Sequence, residues 1–384
     1  MSKPLHDESA LLARRRFLEA SGRYGFTAAV VAALGGTLWN GRALAQTAAD
    51  ETAKQKAAKI TMLFATEYKV EDWGVYPVPQ AQFKQNLEAA SRGAIYVKLH
   101  PAGQLGVGAA LAQKIQGGTV QGGAVSLSNF SPYAPSVDLI NIPFWCGENQ
   151  RFANLVTSRA WDKDITPKVI ARGYKAIFYF TVDPRTVATR RGHKPVRTPA
   201  DMQGMKMRVP PSQLLQQFYR LAGANPTVVP WGETPTALKQ GVADGLDPSI
   251  SALAVFGFQD IIANILALRS VPDAQMFAAN ANWYNQLDTD LKTAFDLAAH
   301  KTQAESFVQI AKARANAIAI MKKGGAQITV PTAAEYQQWV EACGEQRREW
   351  NDFKVKLAGS LDNFERLKEA ANTKGPITVG DFTG

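Results

Sequence analysis

Residues 197–248 read RTPADMQGMKMRVPPSQLLQQFYRLAGANPTVVPWGETPTALKQGVADGLDP. Taken in order, the stretch predicts a polar turn, a strand, an amphipathic helix, a second strand and another helix. At the end of the first strand, Met205-Lys206-Met207-Arg208-Val209-Pro210 places Arg208 beside a proline that stops the strand. A permanent cation at a strand end points into a cleft rather than along a surface. Its planar fork of donors suits a carboxylate, which it holds by paired hydrogen bonds.

The same alternation extends outward on both sides. Upstream, Ile60–Ala65 and Ile95–Leu99 read as strands, with helical spacing over Pro77–Ser91 and a stop at Gly93. A glycine turn at Pro101–Gly106 leads into a helix over Val107–Gln116, and Gly122–Leu127 reads as a third strand before a polar, aromatic loop over Ser128–Tyr133. Strand and helix alternate at the spacing of βαβ units. Tyr174–Val182 is an apolar strand, and Thr186–Gly245 repeats the α/β pattern. From Thr289 to Lys323 there is no proline or glycine. At 1.5 Å per residue such a helix runs ~50 Å, enough to lie across two lobes. Ala333–Ala358 reads as one further amphipathic helix, and Ala48–Lys59 as a polar tether.

Composition bounds the chemistry. The 384 residues are 46% hydrophobic and 20% charged, as in a globular protein of about two domains. Two cysteines, Cys146 and Cys343, form no CxxC pair, and the four histidines are scattered. There is no HxxxH, no GxGxxG after a strand, no GxxxxGK[ST] and no GxSxG. The expectation is therefore no metal, no cofactor and no catalytic activity. Residues 1–45 have the form of an export signal, with Arg14-Arg15-Arg16-Phe17-Leu18, an apolar run over Phe26–Leu38 and Ala43-Leu44-Ala45 at a cleavage site. The arginine pair fits a twin-arginine signal, with Ala13 where Ser or Thr is usual. Without these residues, which hold six Lys/Arg and three Asp/Glu, the net charge falls from +10 to +7. That favours anionic ligands weakly, and with no dense basic block and an export signal, nucleic acid is excluded.

Several motifs in register carry a family resemblance. Pro101-Ala102-Gly103-Gln104-Leu105-Gly106 and Gln113–Thr119, then Val137–Phe144 ending in Pro-Phe, then Thr198–Pro210, then Gly223–Pro226, Trp231-Gly232-Glu233 and Ala237–Gly245 resemble the solute-binding proteins of TRAP transporters, DctP type. The resemblance covers most of residues 57–345. It implies an α/β fold of two lobes with mainly parallel sheets, a hinge and a long lobe-spanning helix. The lobes are expected at 57–183 plus 273–313 and at 184–272 plus 314–370. It further implies a periplasmic monomer that closes on a small organic acid and passes it to a small and a large membrane subunit driven by an ion gradient. An exported cofactor enzyme and a ligand-binding subunit feeding a sensor kinase are the rival readings.

In this family the arginine of the "RVP" run grips the carboxylate, and here that position is Arg208. A second cation is expected from Arg185, Arg190 or Arg191, with Arg190 preferred because it stands nearest the start of the crossing strand. Trp73, Phe130, Trp145 and Trp231 lie in loops or at strand ends where clefts form, with lobe core as the alternative for Trp145. Asn129 is a candidate hydrogen-bond donor. Leu246-Asp247-Pro248 stands where sialic-acid-binding members read Glu-Asn-Pro, so Asp247 replaces a ligand-contacting amide. The expected ligand is a small aliphatic or aromatic carboxylate, with Asp247 orienting Arg208, receiving a hydroxyl or holding a cation alongside the ligand.

Overall fold

The computed structural model describes residues 48–379. The export-signal reading, on residues 1–45, lies outside them. Eleven strands run in chain order: β1 (Ile60–Thr66), β2 (Ile95–His100), β3 (Gly122–Ser126), β4 (Tyr174–Pro184), β5 (Val187–Arg190), β6 (Lys206–Val209), β7 (Asn225–Val228), β8 (Gly245–Leu246), β9 (Ile262–Leu266), β10 (Pro272–Asn280) and β11 (Gln327–Thr329). They form two sheets, ordered β2-β1-β3-β10-β4 and β11-β9-β5-β8-β6-β7. The βαβ units give the parallel pairs β1–β2, β1–β3, β6–β7 and β6–β8. The crossing strands β10 and β5 pair antiparallel with their neighbours, so both sheets are mixed.

The chain passes between sheets from β4 to β5 and from β9 to β10, and a third time through the helix Thr289–Lys323. That helix has 35 residues, starts on Asp288, whose side chain accepts from the Leu291 N–H, and packs on both β4 and the helix Ile250–Val255. It buries small residues (Ala294, Ala298, Ala299, Ala313, Ala317) along its length, which lets elements of both sheets approach closely. This is the two-lobe α/β fold with a hinge and a lobe-spanning helix. Glycine makes the centre of the first sheet possible. A Cβ on Gly123 of β3 would lie 2.4 Å from the Ala65 carbonyl oxygen, and one on Gly122 2.3 Å from the Met62 methyl.

Three local expectations differ. Ala48–Lys59 is no tether: Ala48–Ala57 is helical, held by the Tyr96 hydroxyl donating to Glu51 at 2.9 Å and by a Lys84–Glu51 pair at 2.9 Å. The helix expected over Ala333–Ala358 breaks after Cys343, where Gly344 turns extended, and resumes at Asn351–Ala358. That helix and Leu361–Asn372, placed with the second lobe by the boundaries read from sequence, pack on segments linking β3 to β4. Arg366 pairs there with Asp164 at 2.8 Å. No helix among the described residues is long and apolar enough to cross a membrane.

Candidate ligand-binding site

Where the chain crosses between sheets, charged side chains are buried together. Arg185 lies between β4 and β5. Its Nη1 is 3.3 Å from Asp247 Oδ1, and its Nη2 is 3.1 Å from Asp273 Oδ1 and donates to Ser128 Oγ at 3.3 Å. Asp273, near the start of β10, also accepts from the Ser249 N–H at 3.0 Å, and Ser249 caps the helix Ile250–Val255. Burial works against the charge on Arg185, but Asp273 and Asp247 outweigh it and hold its pKa above the ordinary arginine value. Burial raises the Asp247 carboxyl, with Arg185 and Arg208 opposing.

Arg208 is different. It is 3% exposed, in the middle of β6, and its guanidinium lies over the Trp231 ring at 5.1 Å from the centroid. Its Nε donates to the Val229 carbonyl at 2.9 Å. Among the described residues no carboxylate forms an ion pair with it and no acceptor takes its two Nη groups. Burial, reinforced by the charge of Arg185, pulls its pKa down to about 10, while Asp247, Glu67 and Asp273 pull the other way. A buried guanidinium whose fork has no protein acceptor is chemically suited to an anion.

The cavity onto which it opens measures about 40 Å³. One wall comes from the first sheet's side: Glu67 and Tyr68 after β1, Tyr76, Ser126, Asn129, Asp273 and Gln275. The other comes from the second: Arg208, Pro210, Trp231, Pro248, Ala252 and Phe256, with Arg185 at the crossing. The Tyr68 hydroxyl donates to Gln275 Oε1 at 2.7 Å, and Gln275 Nε2 donates to the Tyr76 hydroxyl at 3.1 Å. Ring centroids are 4.9 Å apart for Tyr68–Tyr76, 6.1 Å for Tyr76–Phe256 and 5.1 Å for Phe256–Trp231. Glu67 is anchored at one oxygen, Oε2, by the Gly108 N–H at 3.1 Å. Burial pushes its carboxyl up, against the pull of Tyr68, Gly108 and Arg208.

Of the residues singled out from sequence, Arg208, Arg185, Trp231 and Asn129 meet at this cavity, and Asp247 backs it through Arg185. The other five lie elsewhere. Arg190 points away and pairs with Asp244 at 3.2 Å near the surface, because β5 carries it beyond the crossing. Arg191 is spent on carbonyls of Gln259, Asp260 and Gly324. Phe130 is fully buried against Tyr174, with centroids 5.2 Å apart, and Trp145 against Phe364 at 5.0 Å. Trp73 lies in the turn Val70–Gly74 under the long helix, where its carbonyl accepts from Gln309. Glu67, Tyr68, Tyr76, Asp273, Gln275 and Phe256 line the cavity and were not singled out. A larger open groove of about 900 Å³ runs past Glu51, Lys84, Glu88 and Tyr96, but there Lys54 and Lys84 are paired with Glu51 and Glu88. Among the described residues no group of His, Cys, Asp or Glu is placed to hold a metal ion.

A buried polar chain runs from the hinge arginine to the second sheet. Ser128 accepts from Arg185 and from Asn141 Nδ2 (3.1 Å), and Asn141 Nδ2 also donates to Asp138 Oδ1 at 2.7 Å. Asp138 Oδ2 accepts from Ser131 at 2.9 Å and from Ser212 at 3.0 Å. Ser212 caps the helix Gln213–Leu221 that follows β6. Burial pushes the Asp138 carboxyl up to about 6, although Asn141, Ser212 and Ser131 all donate to it. The folded state thus binds this proton more tightly than the unfolded chain. The contribution is fully stabilising below the unfolded value, near 4, and is lost as pH rises to about 6. Asp138→Asn should therefore remove up to ~1.4 kcal/mol per pH unit from the slope of stability between pH 4 and 6. Urea titrations across that range check it, and an unchanged slope contradicts the assignment.

The fold and the buried inter-lobe cavity define a class: a two-lobe binding protein. The structure superimposes on a sugar acid binding protein from Advenella mimigardefordensis solved with galactonate, with a TM-score of 0.73 at 21% identity, covering 82% of this chain and 98% of that one. A Shewanella oneidensis TRAP periplasmic solute-binding protein with bound succinate gives a TM-score of 0.72 at 20% identity, covering 81% and 99%. In sequence, the 2,3-diketo-L-gulonate-binding periplasmic protein YiaO of Escherichia coli (strain K12) is 23% identical over 268 residues, 70% of this chain and 80% of that protein. Residues 79–352 match the family model for bacterial extracellular solute-binding protein, family 7. The chain belongs to that family, the DctP-type solute-binding proteins of TRAP transporters, and is a binding protein rather than an enzyme.

Proposed function

We propose that this chain is the periplasmic receptor of a TRAP transporter, that it takes up a small organic carboxylate between its lobes by hinge closure, and that it delivers the acid unaltered to a small and a large membrane subunit. The observation that carries this reading is Arg208, buried at 3% exposure with both Nη groups open to the inter-lobe cavity. Arg185 is neutralised by two aspartates and serves as the structural cation of the hinge, while Arg208 is held for the ligand. The relatives named above that were solved with galactonate and with succinate carry an acid, which supports the same class of ligand. The protein acts as a monomer, exported by its twin-arginine-like segment, with lobes divided near residues 184, 273 and 314.

Closure follows from where the walls come from. Glu67, Tyr68 and Asn129 belong to one lobe, Arg208 and Trp231 to the other, so a ligand touching both stabilises the closed state through contacts that an open state lacks. A thermal-shift screen of small organic acids should find members that raise the melting temperature. Small-angle scattering should then show a smaller radius of gyration at saturation with the best of them. A flat screen, or identical scattering profiles with and without a saturating acid, contradicts the proposal.

A further inference from the structure

The charges around the cavity do not balance for a simple acid. Two arginines, Arg185 and Arg208, face three carboxylates, Glu67, Asp247 and Asp273. Arg185 is matched by Asp247 and Asp273 together. That leaves Arg208 and Glu67 on opposite walls, each feeling the other's charge, yet with no ion pair between them. A counter-ion for Arg208 would sit in contact with it. Glu67 is instead tethered by Oε2 to the Gly108 N–H at the start of the helix Gly108–Gln116, with the Tyr68 hydroxyl as its other donor, and no cation forms an ion pair with it among the described residues. Beside it stand the rings of Tyr68, Tyr76 and Phe256, and aromatic faces attract cations. A ligand with a carboxylate alone would satisfy Arg208 and leave Glu67 repelling it across the cavity. A ligand with an ammonium at its far end satisfies both.

Resting on the carboxylate reading above, we infer that the ligand is a small zwitterion, its carboxylate held by Arg208 and its ammonium by Glu67 and the Tyr68–Tyr76–Phe256 aromatic group. Glu67 is then the residue that selects amino acids or betaines over plain acids. The cavity is small, about 40 Å³, which favours a compact ligand.

Calorimetry with matched probes tests it: ω-amino acids of three to six carbons, their N-trimethyl derivatives, and the corresponding monoacids and dicarboxylates. At least one zwitterion should bind tenfold or more tightly than its deaminated acid. Glu67→Gln should erase that ratio while leaving the deaminated acid bound as well as before or better, whereas Arg208→Gln should weaken zwitterion and acid alike. If plain acids bind as tightly as their amino counterparts, or Glu67→Gln weakens or strengthens both equally, the zwitterion inference fails and the carboxylate reading stands. If the amino compounds bind and Arg208→Gln leaves them unaffected, the carboxylate reading itself fails. A panel with no binder counts against both.

Discussion

Arg208→Gln should lower the affinity for the carboxylate ligand by a factor on the order of 30 or more. Truncating one partner of a desolvated, hydrogen-bonded charge pair costs ~2–5 kcal/mol. The site supplies the conditions for the upper part of that range. Arg208 is 3% exposed, and its charge is disfavoured by burial until an anion arrives. Glutamine retains a donor for the Val229 carbonyl, now served by Nε at 2.9 Å, so the loss reports the ligand contact rather than collapse of β6. Isothermal calorimetry with the best acid from the screen measures it. An unchanged dissociation constant would remove Arg208 from the binding role.

The second large effect lies at the hinge. Arg314 of the long helix grips Asp183 at the end of β4 with Nε–Oδ2 at 2.8 Å and Nη2–Oδ1 at 2.6 Å, and Asn149 adds a bond at 3.0 Å. Both side chains are buried, at 7% and 2% exposure. Burial holds the Asp183 carboxyl above its ordinary range despite Arg314, so the pair as a whole adds little net stability. Breaking it is another matter, since Arg314 is left charged in a closed interior. Asp183→Ala should cost ~3–5 kcal/mol, whereas Asp183→Leu combined with Arg314→Met should recover most of the loss. Guanidinium titrations of the single and double variants check this. A single variant within ~1 kcal/mol of the parent, or a double variant no better than the single, contradicts the account.

Much of the fold was legible because it rests on local signals. The absence of proline and glycine from Thr289 to Lys323 set the long helix, and its bounds in the structure are the same two residues. Arg208 was legible because a strand and its terminal proline fix where a side chain points. Other features depend on contacts remote in sequence. Glu67 follows a strand with no periodicity of its own, and it acquires a role only when the Gly108 N–H, forty-one positions on, anchors it. Asp273 lies near the start of β10 in a segment without a motif of its own, and pairing of β10 between β3 and β4 sets it beside Arg185. Trp145 and Phe130 looked like cleft aromatics because sequence does not show that Phe364 and Tyr174 cover them. The choice among Arg185, Arg190 and Arg191 turned on where the chain crosses between sheets, and only the residue at the crossing faces the cavity.

A crystal structure of the protein with its tightest-binding acid tests the central claim most directly. The carboxylate is expected within hydrogen-bonding distance of both Arg208 Nη atoms, beside Trp231 and Asn129, with walls from both lobes closed over it. An acid found in the open groove by Tyr96, or bound in the cavity with Arg208 still facing no anion, would contradict the account.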